Sequence, residues 1–210
     1  GSGGLLKIIE PSFSFEEEID GEDILRKIER AGRTAYKSED KITAESARAF
    51  VKGIIDRGHL SVIEHHSVSV RIICDRGVSH ELCRHRIASL TQESTRYCNY
   101  SKGKFDGGIT VINPAAAFGW DENDPGDLRQ VLWLDAMEKA EKFYLLLLEN
   151  CATPQEARSV LPNSLKTEVV ITANLREWRH IFELRCSKAA HPQMRQIMVP
   201  LLTGFKVLVP

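Results

Sequence analysis

Apolar residues recur along the chain with two different periods, and the switches between them mark out the elements. Leu5 to Ile9 reads as a first strand. Between Asp23 and Ala31, the residues Ile24, Leu25, Ile28 and Ala31 stand at helical spacing. A second helix is predicted with Thr43 as its cap, an apolar stripe of Ala44, Ala47, Phe50, Val51, Ile54 and Ile55, and Gly58 as its end. Ser61-Val62-Ile63-Glu64 has capping-box spacing and predicts a short helical turn. Val68, Val70 and Ile72 then alternate with Ser67, Ser69 and Arg71, as in a strand with one buried face.

Gly77 to Cys83 reads as helical, and the dense Ser and Thr after Arg86 reads as a loop. Lys102 to Gly108 and Gly119 to Gly126 are turn-rich. Asp124-Pro125 is a cap followed by Pro at the first helical position, opening the longest predicted helix with Leu128, Val131, Leu132, Ala136, Ala140, Phe143 and Leu147 at helical spacing. Thr153 to Glu156 is a full capping box whose short helix closes at Leu161-Pro162. Leu165, Thr167, Val169 and Ile171 alternate as a strand; Arg176 to Arg185 is a helix carrying Trp178, Ile181, Phe182 and Leu184; a last helix starts near Gln193 and is broken or kinked at Pro200. Strands scattered between helices without βαβ alternation predict an α+β fold, a mostly antiparallel sheet flanked by helices in a single domain.

Composition narrows the function classes. The 210 residues are 42% hydrophobic, with 28 Lys and Arg against 29 Asp and Glu and a net charge of -1, which gives no global field for nucleic acid. Apolar runs fall far short of the ~18 residues that span a bilayer, so neither nucleic acid nor membrane is an expected partner. The five cysteines form no C-x-x-C, and no charged-then-apolar leader opens the sequence, so reduced thiols and a cytoplasmic location are expected. Gly1 to Gly4 read as an expression remnant, leaving residues 5–210 as the domain.

The densest polar cluster runs from Arg84 to Tyr97 and holds Arg84, His85, Arg86, Ser89, Thr91, Gln92, Glu93, Ser94, Thr95 and Arg96. Its three guanidiniums are expected to converge at a helix end, where Arg forks and hydroxyls suit a phosphate; a solvated surface of weak ion pairs is the bland alternative. A second cluster, Asn174 to His180 continuing to Arg185, places Arg176, His180 and Leu184 on one helix face. Asn, Arg and His at a strand-to-helix junction suit a polar heterocycle. Gly58 to His66 offers three histidines and a carboxylate but no zinc-enzyme spacing, so no metal is expected. Dinucleotide, P-loop and nucleophile-elbow motifs do not occur.

Arg84-His85-Arg86 followed after seven residues by Ser94 matches the R-H-R-x7-S signature of the flavin-dependent thymidylate synthases. Arg33-Thr34-Ala35-Tyr36, Gly58-His59, Glu64-His65, Ala157-Arg158, Leu161-Pro162, Asn174-x-Arg176, His180 and Leu184-Arg185 follow in that family's order. The chain resembles the family over essentially its whole length. The resemblance implies methylation of dUMP to dTMP, with carbon from 5,10-methylenetetrahydrofolate and a hydride from FAD reduced by NADPH, in a homotetramer with sites at subunit interfaces. It also implies that Ser61, Arg84, His85, Arg86, Gln92, Asn174, Arg176 and His180 contact the flavin. Ser94, Thr95, Arg96 and Arg158 would hold the nucleotide's phosphate and sugar, with Glu81, Arg84, Gln92 and Glu93 beside it. Arg185, against the uracil, would be catalytic, a cation favouring the ionised N3 and enriching C5. Many members carry Asn-Glu at Thr91-Gln92 and Gln at Glu81. Two rivals are a phosphate-reading nucleic-acid module and a flavin- and nucleotide-binding protein without methyl transfer.

Overall fold

A computed structural model describes residues 6–105, 107–124 and 126–210. Gly1 to Gly4, expected to be an expression remnant, Leu5 of the expected first strand and Pro125 of the expected helix cap lie outside the described residues. The strands are β1 (Lys7–Ile9), β2 (Ser12–Phe15), β3 (Ser67–Asp75), β4 (Ser89–Gln92), β5 (Thr110–Ile112) and β6 (Lys166–Asn174). The helices are α1 (Gly21–Tyr36), α2 (Ser46–Asp56), α3 (Arg76–Leu82), α4 (Ala115–Phe118), α5 (Leu128–Glu149), α6 (Pro154–Ala157), α7 (Leu175–Arg185) and α8 (Pro192–Leu208).

The fold is α+β, as expected. A four-stranded sheet has the order β2-β3-β6-β4, and β1 pairs with β5. The latter pair is parallel, Ile8 opposite Val111, while Val111 bridges Leu165 antiparallel, so the strand pairing is mixed. The chain forms two compact units whose segments interleave: one draws on residues up to Ser12, Ile72–Arg84 and Thr91–Val169, the other on Phe13–Arg71, His85–Leu90 and Val170–Pro210. Such interleaving leaves no linker for composition to reveal.

In the unit containing the C-terminus, Asp20 caps α1 by accepting from the Asp23 amide, and Ile24, Leu25 and Ile28 are buried with Ala47 and Val51 of α2 and Ile63. A side chain at Gly21 would strike the Leu208 carbonyl, which requires glycine there. Thr43 does not cap α2; the cap position is Glu45 without a side-chain bond, because the Ser46 hydroxyl accepts from the Thr43 amide and donates to buried Glu29. The predicted turn at Ser61 exists as a 3-10 helix over Leu60–His65, but His59 precedes it and no capping box forms. Along α7, Trp178, Ile181 and Phe182 point inward, and Trp178 and Phe182 pack on Phe205 of α8 with centroids 5.1 Å away. Each such burial stabilises the fold by roughly 1.5–3 kcal/mol. Leu184, assigned to the same stripe, is instead 47% exposed because it shares the face of His180. α8 runs unbroken through Pro200.

In the other unit, Asp75 caps α3 through the Val78 amide. The stretch after Arg86 is not wholly loop, since β4 occupies Ser89–Gln92. The longest helix is α5, as expected, but its cap is Asp127 rather than Asp124. Its predicted stripe faces outward: Leu128, Val131, Leu132 and Phe143 are 67%, 47%, 65% and 55% exposed. The buried face is Met137, Glu141 and Tyr144. Glu141 wins its place inside by accepting from the Ile109 amide at 2.8 Å, although burial raises its pKa. α6 carries the capping box read from Thr153 and Glu156, with both reciprocal bonds present.

Candidate functional site

The strand β6 ends at Asn174, whose side-chain oxygen accepts from the Glu177 amide at 2.9 Å and starts α7. This cap sets the helix rotation: Glu177 is buried, and Arg176, Arg179 and His180 are exposed. Arg176 pairs with Glu64 at 2.6 Å. Asn174, Arg176, Glu177 and His180 line a cavity of about 940 Å³, with Leu60, Ile87, Phe182 and Leu202 as apolar lining. Mixed walls and this volume suit an aromatic heterocycle with polar substituents.

Beside it, the Arg84-His85-Arg86 segment turns one side chain in and two out: His85 is 5% exposed, Arg84 and Arg86 exposed. The Nε2 of His85 accepts from Arg185 Nε at 3.0 Å, and its Nδ1 lies 3.6 Å from Glu177 Oε1. The His180 ring meets it edge-on, 6.2 Å between centroids. Burial first, then Arg185 and His180, pushes the His85 pKa down to about 4, so the ring is neutral near pH 7. The donor atoms of His85, Glu177 and His180 lie within 4.8 Å of one another, a set able to hold a metal ion and distinct from the Gly58 to His66 stretch.

The nucleotide set divides from this one. Glu81, Arg84, Gln92, Glu93, Ser94, Thr95, Arg96 and Arg158 all belong to the other unit, whereas His85, Arg86, Ser61, Asn174, Arg176, His180 and Arg185 share the C-terminal one. In the first group the Gln92 amide donates to Ser79 Oγ at 2.9 Å and Thr167 Oγ1 at 3.1 Å. Glu93 is engaged by Lys166 at 2.7 Å and by the Tyr100 hydroxyl at 3.2 Å. Burial pulls the Lys166 pKa down, but Glu93 and Glu168 outweigh it and raise it; burial and Glu93 both raise that of Tyr100. The Ser94 hydroxyl accepts from the Arg96 amide at 3.2 Å, Thr95 is buried, and the Arg96 guanidinium lies over exposed Tyr97 at 5.4 Å. Arg158 is exposed at the start of a 3-10 turn, and Ser61 is exposed. The three cations expected to converge, Arg84, Arg86 and Arg96, are all exposed and fall in different units, so they make no single helix-end cluster within either.

Sequence reasoning missed Glu177 and Lys166. Glu177 stands three residues after Asn174, the spacing of a helix-start carboxylate, and that signal hid its role inside. Lys166 lies on a strand face that alternation assigns to solvent. His191, left out of the expected site, has its Nδ1 as the cap of α8.

The family model for thymidylate synthase complementing protein matches residues 19–210. The flavin-dependent thymidylate synthase of Geobacter sulfurreducens is 33% identical over 187 residues, covering 86% of this chain and 76% of that protein. Those of Mycobacterium tuberculosis and Mycobacteroides abscessus are each 32% identical, covering 95% and 97% of this chain and 82% and 83% of theirs. The chain therefore belongs to the flavin-dependent thymidylate synthase family, as its motifs indicated.

Proposed function

We propose that the chain catalyses the reductive methylation of dUMP to dTMP, with 5,10-methylenetetrahydrofolate as carbon donor and NADPH as reductant of bound FAD. The observation that carries this reading is the cavity where Asn174, Arg176 and His180 meet apolar walls. Its size and mixed lining fit a flavin ring system or an adenosine half, and family membership supports the same assignment. FAD supplies hydride chemistry that no side chain offers.

The chain's own residues bind and orient. Ser61, Arg84, His85, Arg86, Gln92, Asn174, Arg176 and His180 hold the cofactor. Ser94, Thr95, Arg96 and Arg158 take the nucleotide's phosphate and sugar through charge-assisted bonds, with Glu81, Arg84, Gln92 and Glu93 beside it. Arg185 meets the uracil, where its charge stabilises an ionised N3 and raises electron density at C5. No thiolate is needed when the hydride comes from a flavin, and two of the thiols are poor nucleophiles besides: burial, then Asp75, pushes Cys74 up to about 12, and burial raises Cys186.

The working form is a homotetramer whose sites combine residues from neighbouring copies. The exposed face of α5, with Leu128, Leu132 and Phe143, offers apolar surface that association would cover. Among the described residues no helix is long and apolar enough to cross a membrane, and a cytoplasmic location fits the proposed reaction. The test is twofold: the purified protein should be yellow and release FAD on heating, and it should form dTMP from dUMP only with the folate and NADPH present. Tritium from C5 of dUMP should appear in water with each turnover. A colourless protein that neither takes up FAD nor makes dTMP would overturn the proposal. A yellow one that binds dUMP without tritium release would favour a flavoprotein lacking methyl transfer.

A further inference from the structure

Glu177 belongs to neither ligand set above, yet it faces the residue that orients Arg185. A guanidinium only donates, so the Arg185 Nε–H at 3.0 Å requires a lone pair on His85 Nε2. The neutral ring must then carry its proton on Nδ1, the atom 3.6 Å from Glu177 Oε1. That separation is an electrostatic contact rather than a formed hydrogen bond. The opposite tautomer would set N–H against N–H on one side and a lone pair against a carboxylate on the other. With His85 5% and Glu177 8% exposed, water from the adjoining cavity relieves either conflict only in part.

We propose that Glu177 is a positioning residue: its carboxylate holds His85 in the Nδ1–H tautomer, so that Nε2 fixes the direction of the Arg185 guanidinium. The proposal rests on the functional reading only for what Arg185 then does; the tautomer itself is a property of the folded chain. The same carboxylate with His85 and His180 could in principle bind a divalent ion. Against that use, one nitrogen of His85 is already taken by Arg185, a cation that would repel the metal.

The test uses full-length protein labelled with nitrogen-15 in histidine and arginine. The His85 signals are identified among the seven histidines by their loss in His85→Gln, and the Arg185 Nε–H by its loss in Arg185→Lys. Wild type should show one neutral tautomer, protonated on Nδ1, from pH 8 to pH 5, and a slowly exchanging Arg185 Nε–H. In Glu177→Leu, with the isosteric Glu177→Gln in case the first fails to fold, mixed tautomers and at least about tenfold faster Arg185 exchange are expected. kcat/KM for dUMP should fall about tenfold, the equivalent of one charge-assisted hydrogen bond, with flavin content unchanged. Glu177→Gln should add nothing further in a His85→Gln background, since it acts through that ring.

A single Nδ1–H tautomer and unchanged Arg185 exchange in both Glu177 variants would overturn the proposal. So would stoichiometric zinc that shifts His85 and His180 to metal-bound positions in the wild type. A wild type that makes no dTMP would defeat the functional reading and leave the labelled-histidine result to be judged by itself.

Discussion

The two polar clusters hold their cations by opposite means. Lys166 sits between Glu93 and Glu168 at 2.7 and 3.3 Å, so carboxylates absorb its charge and the trio acts mainly within the fold. Arg185 gives its Nε–H to a neutral imidazole, a contact that fixes the direction of the guanidinium. The difference is between a cation held by opposite charge and one oriented by a directional hydrogen bond. It also explains why the neutral state of His85 matters: a protonated ring could not accept from Arg185 at all.

The largest effect should come from truncating the aimed cation. Arg185→Ala should lower kcat by about 10²–10³-fold, as for loss of one electrostatic stabiliser of developing charge, with melting temperature and flavin content near wild type. Steady-state kinetics beside thermal denaturation would check both halves; a loss under tenfold would remove Arg185 from the catalytic role.

Next is pH. His85 has its folded pKa lowered from 6.5 to about 4, so its neutral form is favoured by folding. The stability this gives is complete above the unfolded value near 6.5 and is lost as pH falls from there toward 4. The loss should be on the order of 2–3 kcal/mol, nearer the lower figure because the open cavity solvates the cluster in part. Denaturant titrations at pH 7 and pH 4.5 should show this decline in wild type and a shallower one in His85→Gln. Equal declines would mean that another group titrates.

Smaller still is the division of labour between exposed cations. Arg96→Ala should weaken dUMP binding more than flavin binding, by roughly 1.5–3 kcal/mol per lost charge-assisted bond, and Arg86→Ala should show the reverse order. Equal losses of both ligands in both variants would erase the distinction between the two units' sets. Cys83→Ser should have the least effect, turnover staying within an order of magnitude, because the exposed thiol lies outside both clusters.

How far the sequence spoke for the fold differed from element to element. On α7 the Trp178, Ile181, Phe182 stripe could be read directly, because one face is apolar and the other charged, while the Asn174 cap was read only as a strand-to-helix junction. On α5 apolar residues surround most of the helix, so spacing alone picked the exposed stripe and missed Met137 and Tyr144. The short strands β2, β4 and β5 were not read, since three or four residues carry too little alternation to stand out. For the site, motif order nominated the arginines and histidines, but not what each of them touches. That depends on Glu177 and Lys166, whose partners are distant in sequence or hidden behind a capping signal.

The central claim is that the nucleotide residues and Arg185 complete one another across copies of the chain, and subunit exchange tests it most directly. At dUMP concentrations well below the weakened Kd of Arg96→Ala, that variant and Arg185→Ala should each retain only a small fraction of wild-type activity alone. Mixed under conditions that exchange subunits, they should rebuild sites with both arginines intact, recovering up to about a quarter of wild-type activity by random pairing. No recovery despite demonstrated exchange, or a monomer that is fully active, would contradict the shared site.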